Sequence, residues 1–131
     1  MSREQRRRRS EETVQAMTLQ LEYVLEHYEI DLLVLADDLG LVIASAGDAA
    51  AARAFAAFAP QLARRQGLDP SLEEFLPGVT LDRVLCENLE LDEIPLYLIA
   101  VMTPDVENAH GFERARTGIQ RIYRTTGSQA S

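Results

Sequence analysis

The sequence predicts a small α+β domain with the order helix, two strands, helix, two or three strands, helix. The first observation is the stretch 30–65, where two apolar strands joined by a tight turn lead into an alanine-rich helix. The second is an apolar stripe at three- and four-residue spacing in residues 11–28, which is typical of an amphipathic helix. The third is the almost wholly apolar run 96–102, which indicates a central strand.

The turn between the first two strands is formed by residues 37–40, with the sequence DDLG. The Asp37 carboxylate can accept hydrogen bonds from nearby backbone N–H groups, and Gly40 can take a positive φ angle. Residues 41–44 then resume an apolar strand, and Asp48 is placed to cap the helix that follows. These residues predict a β-hairpin that leads directly into a helix.

This stretch resembles the Roadblock/dynein light-chain family, whose bacterial members include the mutual-gliding B proteins. The residues that carry the resemblance are the strand Leu33–Ala36, the Asp-x-x-Gly turn, the strand Leu41–Ser45 and the helix from Asp48. Element order extends the resemblance over about residues 11–125. The resemblance implies an antiparallel five-stranded sheet with helices on both faces, in the order α-β-β-α-β-β-β-α. It also implies one Roadblock-like domain over residues 10–126.

The strands after the second helix are less clearly marked. Residues 71–78 can form either a short edge strand or one helical turn. Residues 79–91 alternate apolar and polar positions, which predicts a strand with one exposed face. Residues 96–102 follow as the central strand, and the last helix carries its apolar face at positions that include Phe112 and Ile119.

The helix from Asp48 has two different faces. Phe55, Phe58 and Leu62 form the stripe that we expect to be buried. The opposite face carries Ala50, Arg53, Ala54, Ala57, Gln61 and Arg64. Its small side chains would allow a second helix to approach closely, as in a homodimer seam; alternatively, alanine is simply a good helix former and this face is solvated.

Pro60 interrupts the same helix, because proline lacks a backbone N–H and clashes with the preceding turn. We expect either a kink, or two short helices with Pro60 at the start of the second.

The Roadblock resemblance also implies a function. Proteins of this family are dimeric platforms that bind Ras-like small GTPases or serve as scaffolds, and the mutual-gliding B proteins stimulate GTP hydrolysis without inserting an arginine. The chain is therefore expected to be a non-enzymatic homodimer that binds a small GTPase. The expected dimer interface comprises Ala50, Ala54, Ala57 and Gln61, and the expected partner-binding residues are Arg53, Gln61, Arg64 and Arg65.

Two alternatives remain open at this point. The first is a structural scaffold subunit without a GTPase partner. The second is a ligand-sensing module of the GAF, PAS or profilin-like kind, which would need a pocket with convergent polar groups.

Charge is unevenly distributed along the chain. The net charge is −8, and residues 1–9 hold five Arg and one Glu, or +4, so residues 10–131 carry −12. The negative charge of residues 10–131 argues against nucleic-acid binding, because nucleic acids are also negatively charged. We expect residues 1–9 to be a disordered basic tail, which is either an electrostatic arm or a solvated extension, and residues 127–131 to be a flexible tail.

Motifs for catalysis, cofactors and metals are missing from the sequence. The chain contains no Lys, hence no Gly-x-x-x-x-Gly-Lys loop, and no Gly-x-Ser-x-Gly motif. His27, His110 and Cys86 lie far apart in sequence, and Cys86 is expected to be a buried small hydrophobe. With one cysteine, no apolar run of transmembrane length and no secretory signal, the sequence predicts a cytoplasmic protein without catalytic, cofactor or metal sites.

Overall fold

The computed structural model describes residues 3–91, 94–104 and 109–127. The helices and strands are α1 (Arg3–His27), β1 (Ile30–Asp37), β2 (Val42–Ala46), α2 (Ala49–Ala57), α3 (Ala59–Ala63), β3 (Val84–Leu91), β4 (Ile94–Met102) and α4 (His110–Ile122). Two 3₁₀ turns, Pro70–Glu74 and Leu81–Arg83, lie between α3 and β3, and a π-helical turn, Tyr123–Gly127, follows α4.

The four strands form one antiparallel sheet in the order β2-β1-β4-β3. β1 and β4 are the inner strands, with Val34 paired to Ile99 and Leu33 paired to Ala100. Because both strands are covered on both faces, they are almost continuously apolar, as the run 96–102 predicted. The central position of that strand is thereby confirmed.

Helices cover both faces of the sheet. α1 and α4 pack on one face over a core that comprises Met17, Leu21, Val24, Leu33, Leu35, Leu89, Leu98, Phe112 and Ile119. α2 and α3 pack on the other face over a core that comprises Leu32, Val34, Phe55, Leu62, Leu72, Val84, Ile99 and Val101. Successive residues of β1 and β4 point to opposite faces, so each of these strands contributes to both cores.

α4 lies close to α1 and β1 because two of its residues are glycines. A Cβ on Gly111 would lie 2.6 Å from Ile30 Cδ1 and 2.9 Å from Tyr28 Cβ. A Cβ on Gly118 would overlap the side chain of Gln20. These two glycines therefore set the approach of α4, at some cost in helix propensity.

The expected five-stranded sheet is wrong, because the described part of the chain contains four strands. The segment 71–78 begins within the 3₁₀ turn Pro70–Glu74, which the Asp69 carboxylate caps by accepting hydrogen bonds from Ser71. Leu72 is fully buried and Leu76 packs beside the same core, whereas Glu74, which a strand would place on the same face as these two leucines, is exposed. A 3₁₀ turn forms no hydrogen-bonded pairing with a neighbouring strand, so this segment is not the expected fifth strand.

Two element boundaries also differ from the sequence predictions. β3 begins at Val84 instead of residue 79, because Leu81–Arg83 forms a 3₁₀ turn first. α1 begins at Arg3, so the helix includes most of the basic segment. The division into a basic tail (1–9), a domain (10–126) and a second tail (127–131) stays a prediction, and residues 1–2 and 128–131 lie outside the described residues.

Candidate interaction surface

The chain leaves the β1–β2 hairpin and enters α2 through a capped turn. The Asp48 carboxylate accepts a hydrogen bond of 2.8 Å from Ala51 N–H, which satisfies one free donor of the first turn. α2 ends at Ala57 and is followed by the cap residue Phe58, whose N–H donates to Phe55 O at 3.0 Å; Pro60 then occupies the first turn of α3. Pro60 therefore divides the helix into two, the second of the two outcomes that the sequence allowed.

The two faces of α2 and α3 are as different as their sequence indicates. Phe55 and Leu62 are fully buried against the sheet, and Phe58 is half-buried. The outward side, which we call the outer face, consists of Ala50, Arg53, Ala54, Ala57, Gln61 and Arg64. Arg53, Ala57 and Arg64 are exposed, and the other three residues are half-buried. The expected dimer residues thus share this outer face, and their role stays a prediction.

The turn of the β1–β2 hairpin lies beside the C-terminal end of α2. Asp37 Oδ1 accepts hydrogen bonds of 2.9 Å from the N–H groups of Leu39 and Leu41, which fixes the turn. Leu39 is 79% exposed and Leu41 is 61% exposed. Gly40, which lies between these two exposed leucines, packs against Ala57, so the turn brings apolar area to the outer face that the sequence pattern did not indicate.

The arginines of this region are in two different situations. Arg65, at a φ angle of 53°, directs its guanidinium to Leu81 O at 3.4 Å and Val84 O at 3.3 Å. It therefore holds α3 to the start of β3. Arg53 and Arg64 make no side-chain hydrogen bond or ion pair with any residue that the structure describes. Of the predicted partner-binding arginines, these two have their guanidinium groups available.

Arg83 is an organising residue that sequence reasoning missed. Its side chain is 14% exposed. Nε donates to Met102 O at 2.8 Å, Nη1 donates to Gly78 O at 3.3 Å, and Nη2 pairs with Asp31 Oδ2 at 2.7 Å. One guanidinium thus connects the segment before β3 to the start of β1 and the end of β4. The alternating pattern of residues 79–91 groups Arg83 with the apolar positions Val79, Leu81 and Leu85 and gives no sign of this role.

Cys86 lies on β3 beneath α3, with its Sγ 3.5 Å from Ala59 O. Burial, with a smaller contribution from the negative charge of Glu87, raises the pKa of the Cys86 thiol to about 12. The thiol therefore stays protonated at neutral pH, where a cysteine nucleophile would need to be a thiolate. Cys86 is half-buried, so it is less enclosed than the expected buried small hydrophobe, although its side chain packs beside the core beneath α2 and α3.

Charged side chains cluster on the opposite face of the sheet. Arg116 on α4 pairs with Glu87 on β3 at 2.9 Å and with Glu113 at 2.5 Å. The hydrogen bonds to Glu87 and then Glu113 raise the pKa of Arg116. Near the start of α4, a groove open to solvent is lined by Tyr28, His110, Glu113, Arg114 and Thr117. An open groove of this kind does not enclose a small ligand.

Among residues 3–91, 94–104 and 109–127, no three His, Cys, Asp or Glu side chains lie where they could hold a metal ion together. In that same part of the chain, no helix combines the length and the apolar composition needed to cross a bilayer.

Comparison with known proteins gives a fold relative. The chain is similar to Myxococcus xanthus MglB, with a TM-score of 0.56 and 12% sequence identity over 86% of this chain and 91% of that chain. No protein-family model and no curated protein matches the chain. At this identity the likeness concerns the fold alone. The chain thus has a Roadblock/MglB-like fold, in agreement with the resemblance of its hairpin.

Proposed function

We propose that the chain is a non-enzymatic homodimer that binds a Ras-like small GTPase and regulates its GTP hydrolysis. The observation that carries the proposal is the fold shared with MglB over 86% of the chain. The resemblance of residues 33–48 to the Roadblock family implies the same type of regulator. This second argument for the proposal is based on sequence and does not depend on the structural similarity to MglB. A soluble regulator of this kind works in the cytoplasm, where its GTPase partner is found.

The outer face of α2 and α3 is the proposed dimer seam. Ala50, Ala54 and Ala57 follow one another at four- and three-residue spacing, and Gln61 continues the line on α3. Side chains this small allow two helices to approach closely across a two-fold axis. The exposed Leu39 and Leu41 flank Gly40, which packs against Ala57 in this line, and would add apolar area to the seam.

The proposed GTPase contacts are Arg53, Gln61, Arg64 and Arg65. Arg53 and Arg64 suit the polar rim of an interface, because they are exposed and make no ion pair in the described part of the chain. Arg65 is restrained by two backbone carbonyls, so it can contact the partner but cannot extend far from the surface. Regulation then works by repositioning the residues of the GTPase itself.

A binding titration with charge-reversal variants tests this assignment. A fluorescently labelled Ras-like GTPase from the same genome is loaded with GDP or with a non-hydrolysable GTP analogue and titrated with the chain. We expect tighter binding in the GTP state, and binding about tenfold weaker for the double variant Arg53→Glu/Arg64→Glu. Arg121→Glu, which reverses an exposed charge on α4, is the matched control.

Equal binding by the double variant and the control would refute the assignment of Arg53 and Arg64 as GTPase contacts. Absence of binding in both nucleotide states would refute the GTPase proposal itself. A scaffold subunit, or a ligand-sensing module stabilised by a small molecule, would then be the better explanation.

A further inference from the structure

We draw no further inference here: the strongest candidate, the exposed apolar patch that Leu19 and Tyr23 form on the solvent-facing side of α1, carries no proposal because nothing in the described part of the chain shows what covers it.

Discussion

Gly40 in the β1–β2 turn packs directly against Ala57 at the end of α2. A Cβ on Gly40 would lie 3.2 Å from Ala57 Cα and 3.5 Å from Ala56 O. Gly40 also has a φ angle of +82°, which an L-residue with a side chain rarely adopts. The Asp-x-x-Gly turn and the helix that follows it are therefore one packed unit, and the turn supports the outer face at Ala57.

Gly40→Ala is expected to lower the free energy of unfolding by about 2–3 kcal/mol, because it adds a close contact to the cost of a positive φ angle. Gly78→Ala is the matched control, since Gly78 has a φ angle of +80° but no atom within 4 Å of the position of its Cβ. The control should lose only about 1–2 kcal/mol. Urea denaturation measures both, and equal losses would show that the contact with Ala57 contributes nothing.

Arg83→Met should destabilise the fold by about 2–3 kcal/mol. It removes the hydrogen bonds to Met102 O and Gly78 O and leaves the Asp31 carboxylate without its cation. Arg64→Met makes the same chemical change at an exposed arginine without partners in the described part of the chain, and should alter stability by less than about 0.5 kcal/mol. Similar midpoints for the two variants in urea denaturation would contradict the organising role of Arg83.

The Cys86 thiol should resist alkylation in the native protein. Raising its pKa from 9.0 to about 12 lowers the thiolate fraction at pH 8 roughly a thousandfold. The rate of iodoacetamide labelling, followed by mass spectrometry, should therefore increase sharply when the protein is unfolded. Thr80→Cys supplies an exposed thiol in the same chain as a control, and it should react rapidly. Equal rates at the two positions would refute the buried environment of Cys86.

The same pKa shift predicts a dependence of stability on pH. The unfolded chain releases the thiol proton near pH 9.0, while the folded chain retains it until about pH 12. The contribution of this group is therefore fully present below pH 9 and is lost as the pH rises towards 12. Urea denaturation between pH 8 and 10 should show a steeper loss of stability for the wild type than for Cys86→Ala. Identical slopes would contradict the raised pKa.

The difference between what the sequence predicted and what it missed has a physical basis. The hairpin was predictable because Asp37 and Gly40 act within a few residues, through a side-chain acceptor and a backbone preference. The fold class followed from local apolar patterns. The prediction of a fifth strand was wrong because the segment around Leu72 is shaped by core contacts with residues that are distant in sequence, such as Phe55 and Ile99.

The candidate site was predictable to a similar extent. The outward position of Ala57 follows from helical periodicity, and the structure agrees. The role of Arg65, by contrast, depends on carbonyls of Leu81 and Val84, which only the folded chain brings near. Arg83 was missed for the same reason, because its partners come from three separate parts of the chain.

Ala57→Glu should weaken the proposed dimer that forms through α2 and α3. A two-fold seam through Ala57 would bring two large carboxylate side chains into a contact that small residues form, and Arg53, one turn away on the same face, cannot relieve the loss of close packing, so association should weaken by at least about tenfold. Ala49→Glu, at the exposed start of α2, is the control and should leave the dimer intact. Size is compared by sedimentation of the wild type and the two variants at the same concentrations. A dimer that survives Ala57→Glu would show that the seam lies elsewhere.

The most direct test of the central claim is sedimentation of the wild-type chain, alone and mixed with a Ras-like small GTPase from the same genome. The account predicts a self-associated species that co-sediments with the GTPase bound to a GTP analogue and not with the GDP-bound form. Stimulated GTP hydrolysis in the same mixture would identify the chain as an activator. A chain that is monomeric and does not bind the GTPase in either nucleotide state would contradict the account.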